Sequence, residues 1–325
     1  MPNDIIKLKY MRTVKLIIAV GLTVYLLNSC NLALLISTLS SINGRLACLA
    51  VIMSLLLFFG GALNLWLLLN SICHIPVQLF LYSYSYGYAV NLFAPGQLGD
   101  ISLTLFLKKH GIYYSRSTLA YAIDKCISML CILLLGYIGT IFMLNNFAAP
   151  IWIFGIPLIL SICAMICILV LAYLPYDAGK IGRAKHFIRS MYKEAALWDA
   201  KYKAIILNIM LTIIKWLVLS LTYYIAFRAF GIEAKWPEVG IIPVIATLIG
   251  YIPISVGGIG TVELCAVYLF SLISIDRVYV IDVYIFLRFI TYLQAGVILG
   301  LCNWQFRRAR RNVGLINQEP RAREA

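Results

Sequence analysis

Apolar runs long enough to cross a lipid bilayer recur along this chain. A helix needs about 20 apolar residues to span a hydrocarbon core of ~30 Å. Of the 325 residues, 62% are hydrophobic and only 12% are charged, whereas an average soluble domain is roughly 25% charged. Backbone that faces lipid must satisfy its hydrogen bonds within a helix or a closed barrel. The pattern therefore predicts an all-α polytopic integral membrane protein.

The apolar segments are separated by basic clusters, which indicate how the chain crosses the membrane. The segments lie at roughly 14–36, 46–70, 77–94, 101–107, 117–145, 148–174, 204–230, 239–255, 259–273 and 279–302. Basic residues precede the first segment, occupy the loops at 108–116 and 175–203, and follow the last segment. Such clusters mark cytoplasmic ends. We therefore expect both termini in the cytoplasm, and we read the net charge of +14 as membrane topology, with no nucleic-acid partner.

The loop before residue 204 has the pattern of a basic amphipathic helix over about 179–203. Its expected apolar face comprises Ile181, Ala184, Ile188, Met191, Ala195 and Trp198. A helix with one apolar and one basic face lies on an anionic membrane surface. We expect this helix to anchor the loop there, with recruitment of anionic lipid as the alternative.

Two segments cannot be ordinary spans if the basic loops are cytoplasmic. The stretch 77–107 must begin and end inside, but its second part, "ISLTLFL", has only seven residues, far short of the ~20 needed to cross. This predicts a re-entrant hairpin whose tip is "APGQLG". The same argument makes 239–273 a hairpin from the outer side, with its tip at "PISVGGIG". Kinked full spans are the alternative.

The hairpins divide the chain into two similar halves of opposite orientation, at about 11–146 and 148–303. Each half would contain three full spans and one hairpin within a single domain at 1–303, followed by a basic tail at 304–325. Asp100 precedes Lys125 by 25 residues, and Glu263 precedes Arg288 by the same interval. Six spans with two opposed hairpins in an inverted repeat is a transporter architecture.

The hairpin tips and the ionisable residues inside apolar segments are the candidate substrate site. Glycines and prolines allow the tight backbone of a tip, and helices that start after a tip aim N–H groups at an anion. Lys215 and Arg288 are the deepest cations; they either bind an anion or pair with Glu263 or Asp124. Asp100 and Glu263 either cap helices or contact cargo. The candidate substrate-binding residues are Asn91, Pro95, Gln97, Gly99, Asp100, Lys125, Lys215, Ser255, Gly257, Gly258, Gly260, Glu263 and Arg288.

The segment "LYSYSYGY" adds four tyrosines, Tyr82, Tyr84, Tyr86 and Tyr88, at alternating positions. Period two is typical of a strand, but an isolated strand in a bilayer leaves unpaired backbone groups. On a helix these tyrosines would form two adjacent stripes, either lining a path for a lipid head group or anchoring the helix at the interface.

Other chemistry has little support in the sequence. The cysteines and histidines form no ligand pattern, so we expect no metal and no cofactor. Motifs of hydrolases, metalloproteases and nucleotide-binding loops are absent from the sequence. Whether the protein is an enzyme stays open, because Asp100, Asp124 and Glu263 could act as acid or base in an embedded transferase.

The two tips resemble those of the lysylphosphatidylglycerol synthase/flippase transmembrane family over about residues 10 to 303. The second motif matches the family pattern P-x-S-x-G-G-x-G-x-x-E at Pro253, Ser255, Gly257, Gly258, Gly260 and Glu263. The first matches at Asn91, Pro95, Gly99 and Asp100, but Gln97 stands where the family usually has a basic residue. The acid–arginine pair typical of the family is here Asp124–Lys125.

The resemblance implies movement of lipids or lipid-linked molecules across the cytoplasmic membrane, and only the flippase part of the two-domain synthases. We therefore predict a flippase-like transporter in a bacterial or archaeal cytoplasmic membrane, with an anionic or polyprenyl-phosphate-linked lipid as its partner. The alternatives are a glycosyl or head-group transferase and a non-transporting subunit of an envelope-assembly complex. A homo-oligomer or an envelope-biosynthesis partner is compatible with each of these.

Overall fold

The computed structural model describes residues 42–93, 98–143, 179–251, 255 and 257–316. This part of the chain contains nine α-helices and no strand. In chain order they are α1 (Gly44–Ile72), α2 (Val77–Phe93), α3 (Leu98–Lys109), α4 (Tyr114–Met143), α5 (Gly179–Ala196), α6 (Lys201–Ala229), α7 (Trp236–Tyr251), α8 (Thr261–Ser271) and α9 (Arg277–Ile316). The expected spans at 14–36 and 148–174 lie outside the described residues.

Four of these helices are long and apolar enough to cross a membrane. The qualifying segments are Gly44–Ile72, Tyr114–Ile138, Lys201–Ala229 and Arg277–Trp304. They coincide with apolar segments of the sequence, and their 25–29 residues exceed the ~20 needed to span the hydrocarbon core. The prediction of an all-helical polytopic membrane protein is confirmed in this respect. The tyrosine segment is also helical, within α2.

The first pair of short helices, α2 and α3, packs antiparallel with the two backbones in contact. A Cβ atom built on Gly87 would lie 2.8 Å from the carbonyl oxygen of Gly99. Towards the other end of the pair, the rings of Tyr82 and Phe106 lie 5.1 Å apart. Only glycine permits so close an approach, so Gly87 and Gly99 allow the two helices to pack.

The second pair, α7 and α8, is joined by a turn that requires glycine. Gly257, Gly258 and Gly260 have φ angles of 58°, 73° and 82°, in the left-handed region that other residues rarely adopt. Gly258 folds back on α7, because a Cβ built on it would lie 3.6 Å from the Cα of Gly250. The pair is therefore a tight helical hairpin.

The ends of the two pairs meet. A Cβ built on Gly257 would lie 2.4 Å from the carbonyl oxygen of Leu92, near the end of α2. The hydroxyl of Tyr292, on α9, donates to the same Leu92 oxygen at 3.2 Å, and its ring lies 5.3 Å from that of Phe93. Two regions far apart in sequence thus form a single joint. We call these residues, Leu92, Phe93, Gly257 and Tyr292, the tip joint.

The loop between α4 and α6 differs from the expected helix over 179–203. The helix α5 ends at Ala196, and the next helix begins at Lys201. Trp198, expected on the apolar face of that helix, lies in the intervening turn and is 5% exposed. It packs in the same core cluster as Leu65 and Leu68 of α1. The sequence pattern was misleading because this apolar residue fills the protein core instead of facing lipid.

The last helix is longer than its membrane-crossing part, which ends at Trp304. It continues to Ile316. The basic stretch after the last span therefore continues its helix.

Candidate functional site

A cavity of about 370 Å³ lies among the helices, and its lining includes two acidic and two basic side chains. They are Asp100 on α3, Asp124 and Lys125 on α4, and Lys215 on α6. Other lining residues come from α1, α2, α7 and α9, and most of the lining is apolar. Ionisable groups inside a membrane protein usually face a cavity or one another; here they do both.

Asp100 is held by three side chains. The amide of Asn91 donates to its Oδ1 at 2.8 Å, the hydroxyl of Tyr121 donates to its Oδ2, and the ammonium of Lys125 lies 3.4 Å from the same Oδ2. Asn91 also accepts from the backbone N–H of Gly99 at 2.7 Å. The amide thus satisfies a free N–H at the start of α3 and orients Asp100. The carboxylate itself faces α4 and borders the cavity.

Asp124 belongs to a second polar group, which the sequence did not reveal. Its Oδ1 accepts from the amides of Asn64 at 3.1 Å and Asn208 at 3.0 Å. The Asn64 amide also donates to the hydroxyl oxygen of Thr212 at 3.0 Å, and the Asn208 amide donates to Oδ1 of Asn64 at 2.9 Å. We call these four residues, contributed by α1, α4 and α6, the amide cluster. All four are buried, so each hydrogen bond replaces water that the bilayer cannot supply.

Lys215 lies beside this cluster. Its ammonium donates to the hydroxyl of Ser128 at 3.1 Å and lies 5.0 Å from the ring centroid of Trp216. Ser128 is one helical turn after Asp124, on the same face of α4. The cavity therefore has a cation next to a carboxylate that neutral amides already stabilise.

The second hairpin contains the other ion pair. Glu263 accepts from the backbone N–H of Gly260 at 2.7 Å, which caps α8. A guanidinium nitrogen of Arg288 lies 2.5 Å from the other Glu263 oxygen, and another donates to the carbonyl of Gly257 at 3.2 Å. Ser255 and Thr261 share a hydrogen bond of 2.9 Å within the same turn. This group fixes the glycine turn to α9.

The structure divides the predicted site residues into distinct groups. Asn91, Asp100, Lys125 and Lys215 line the cavity, together with Tyr84 and Tyr88. Gly99 is buried against α2. The second-hairpin residues Ser255, Gly257, Gly258, Gly260, Glu263 and Arg288 form the turn and its ion pair instead. Pro95 and Gln97 lie outside the described residues.

The four tyrosines of α2 lie on two different sides of the helix, as expected for two helical stripes. Tyr84 and Tyr88 stack with ring centroids 6.5 Å apart and face the cavity. Tyr82 and Tyr86 pack against Phe106 on another side of α2. Only the first stripe is placed to contact a molecule in the cavity.

Asn64, Tyr121, Ser128, Asn208 and Thr212 were missed because a neutral polar residue in an apolar segment carries no charge signal. The signal available was the buried amide itself. An amide without a partner costs several kcal/mol in an apolar medium, so Asn64 and Asn208 each required a polar neighbour on another helix. Their positions alone do not identify that neighbour.

These helices, with ionisable side chains facing an interior cavity, define a multi-pass helical membrane protein. A family model described as "Lysylphosphatidylglycerol synthase TM region" matches residues 12–300, and the chain belongs to that family. The match confirms the resemblance read from the two hairpin motifs and associates the protein with membrane lipids. No curated protein and no solved structure gives a significant match.

Proposed function

We propose that the protein is a flippase-like transporter that moves an anionic lipid, or a lipid-linked molecule such as a polyprenyl-phosphate sugar, across the cytoplasmic membrane of a bacterium or archaeon. The observation that carries the proposal is the cavity, which contains Lys125 and Lys215 among membrane-spanning helices. A helix bundle with a purely structural role would gain no stability from these charges beside a cavity, because buried ionisable groups are costly in a membrane.

The phosphate of the cargo binds at Lys215 in this proposal. Lys125 is already paired with Asp100, whereas the hydrogen bond of Lys215 is to the neutral hydroxyl of Ser128. An ammonium with a neutral partner loses little when an anion replaces that partner, and it gains a charge-assisted hydrogen bond. Tyr84 and Tyr88 contact the remainder of the head group.

The two hairpins belong to the two halves of the chain that move relative to each other in this proposal. We infer six full spans and two opposed re-entrant hairpins, arranged as an inverted repeat with both termini in the cytoplasm. Three findings support this arrangement. The short helices occur in two pairs, each pair is followed by an ion pair to the next long helix, and the pairs meet at the tip joint. Transporters of this architecture alternate by moving one repeat against the other around a central site.

The geometry supports transport more than an embedded transferase. A general base needs a carboxylate that is available to take a proton from a reactant. Asp100, Asp124 and Glu263 each already accept hydrogen bonds from protein donors. These contacts are those of groups that orient and stabilise neighbouring side chains.

A lipid-translocation assay in proteoliposomes tests the function. The purified full chain is reconstituted with fluorescent phosphatidylglycerol, and the fraction quenched by an added reductant is measured over time. We expect Lys215→Met to reduce the initial rate at least about tenfold, which corresponds to losing roughly one charge-assisted hydrogen bond.

Lys203→Met is the matched control. Lys203 lies on the same helix, α6, but is exposed, so this variant should keep the wild-type rate. If the wild type and Lys215→Met are both folded and translocate lipid at equal rates, the proposed binding site is ruled out. If the wild type moves no anionic lipid and no polyprenyl phosphate, the proposed function is ruled out.

A further inference from the structure

The amide cluster contains more oxygen ligands than hydrogen bonding alone requires. Its four side chains carry one carboxylate, two amide oxygens and one hydroxyl, contributed by three different helices. Asn64, Asn208 and Thr212 are each no more than 1% exposed, and Asp124 is 9% exposed. Carboxylate, amide and hydroxyl oxygens are the ligands that hard cations prefer.

One oxygen of the cluster has no hydrogen-bond partner among the described residues. Oδ1 of Asn208 is fully buried, and it accepts no hydrogen bond from the part of the chain that the structure describes. Leaving a buried acceptor unsatisfied costs about 1–3 kcal/mol. Such an atom in the middle of a polar group indicates a ligand or a second arrangement of the group.

A half-turn of the Asn208 amide gives a second arrangement, in which its oxygen faces the other members of the cluster. It would place Oδ1 at the present position of Nδ2, which lies 2.9 Å from Oδ1 of Asn64 and 3.0 Å from Oδ1 of Asp124. The rotated Asn208 oxygen would repel each of these two oxygens at such distances unless a cation lay between them. Oxygens that each coordinate a hard cation at roughly 2.4 Å lie about 3 Å from one another, so the present spacing needs little adjustment.

The ligand set favours a monovalent cation. Calcium takes six to eight oxygens, commonly from several carboxylates, whereas Asp124 is the one carboxylate among these four residues. A second positive charge would lack a counter-charge inside the membrane. Among the described residues, no group of three His, Cys, Asp or Glu side chains could hold a metal ion, which excludes an ordinary transition-metal site there.

We propose that Asn64, Asp124, Asn208 and Thr212 form a binding site for an alkali cation, with Na⁺ as its ligand. The cation is held by the Asp124 carboxylate, by the amide oxygens of Asn64 and Asn208 and by the Thr212 hydroxyl. Without the cation, the Asn208 amide turns its N–H group to Asp124, which is the arrangement described above.

The site shares Asp124 with the cavity, which gives the cation a role in transport. This part rests on the proposed function. A cation at Asp124 neutralises the carboxylate nearest to Lys215 and so strengthens the attraction of Lys215 for a phosphate. Cation and anionic cargo would then bind with positive cooperativity, as two ligands that favour one state must.

Thermal unfolding of the purified full chain in detergent tests the cation site without any cargo. NaCl is titrated against choline chloride at constant ionic strength, with KCl in a parallel series. A ligand that binds only the folded state raises the unfolding temperature saturably. We expect NaCl to do so, and Thr212→Val to weaken the apparent Na⁺ affinity about tenfold or more, since it removes a ligand oxygen without changing side-chain size.

Thr222→Val and Thr212→Ser are the controls. Thr222 is on the same helix and equally buried, but its hydroxyl donates to the carbonyl of Val218, so its loss should leave the Na⁺ response unchanged. Thr212→Ser keeps the oxygen and should keep the response. Equal unfolding temperatures of the wild type in NaCl, KCl and choline chloride would overturn the proposal, as would equal losses in Thr212→Val and Thr222→Val. If lowering the pH raises the unfolding temperature and Na⁺ does not, the cluster binds a proton and the proposed cation site is wrong.

Loss of lipid translocation with an intact Na⁺ response would contradict the proposed function and leave the cation site standing. The reverse result, translocation by a wild type that shows no Na⁺ response, would overturn the cation site alone.

Discussion

The two helical hairpins use the same elements for different purposes. Each consists of two short helices, and each has an acid near the start of its second helix that pairs with a cation in the following long helix. In the first hairpin, Asp100 is held by side chains and borders the cavity. In the second, Glu263 and Arg288 bond to the backbone of the glycine turn.

The difference shows that one copy of a repeated motif can serve ligand binding while the other copy supports the fold. The side chains of the first pair are 14% and 30% exposed, and the two charges lie 3.4 Å apart. Those of the second are 5% and 23% exposed and lie 2.5 Å apart. We therefore expect the first pair to rearrange when a ligand enters, and the second to hold its turn in place throughout.

The largest expected effect is the loss of the second ion pair. Arg288→Ala leaves Glu263 as an uncompensated buried charge and should reduce stability by about 3–5 kcal/mol, whereas Lys125→Ala should cost about 1 kcal/mol because its pair is more accessible. Unfolding midpoints in detergent measure both. Adding Glu263→Gln to Arg288→Ala should recover part of the loss. Equal losses for Arg288→Ala and Lys125→Ala would contradict the division between support and binding.

The second effect concerns the glycine turn at the tip joint. Gly257→Ala should cost roughly 2–4 kcal/mol, because its φ is positive and the new methyl group would overlap the carbonyl of Leu92. Gly111 also has a positive φ, but nothing lies within 4 Å of its added Cβ. Gly111→Ala should therefore cost only about 1 kcal/mol of backbone strain. If the two variants unfold at the same midpoint, the tip joint contributes no steric constraint.

The smallest expected effects come from removing a single tyrosine hydroxyl, at Tyr121 or at Tyr292. Tyr121 donates to the Asp100 carboxylate, and Tyr292 donates to the neutral carbonyl of Leu92 at 3.2 Å. Hydrogen bonds to charged groups contribute about 1.5–3 kcal/mol and neutral ones about 0.5–1.5. Tyr121→Phe should thus lower the unfolding midpoint more than Tyr292→Phe, and it alone should alter lipid translocation through Asp100. The opposite order would place the greater constraint at the tip joint.

Much of this architecture was predictable because apolar length and helix-breaking residues are local signals. The apolar segments at 46–70 and 204–230 correspond closely to α1 and α6. The interval of 25 residues between acid and cation indicated a repeat, and in the structure both pairs are ion pairs; the sequence had left open whether Arg288 pairs with an acid or binds an anion. The resemblance of the two hairpin motifs identified the family.

What escaped prediction depended on the arrangement of helices in space. Nothing in the sequence places Asn64 of α1 beside Asn208 of α6, because helix packing determines which faces meet. Nor does it separate Lys215, which lines the cavity, from Arg288, which pairs with Glu263. Trp198 was placed on a membrane surface for the same reason: its apolar character is compatible with lipid or with the protein core, and the core cluster contains it.

The tip joint also constrains the order in which this chain can be completed during synthesis. Lys125 follows Asp100 closely, so the first ion pair can form soon after α4 emerges from the ribosome. The hydrogen bond from Tyr292 to Leu92 joins residues 200 positions apart, and contacts of such long range form slowly because the intervening chain must first be ordered. At typical synthesis rates of about 5–20 residues per second, the first hairpin waits at least ten seconds or so for its partner. Until then, the end of α2 lacks the contacts that Gly257 and Tyr292 make with it in the complete chain.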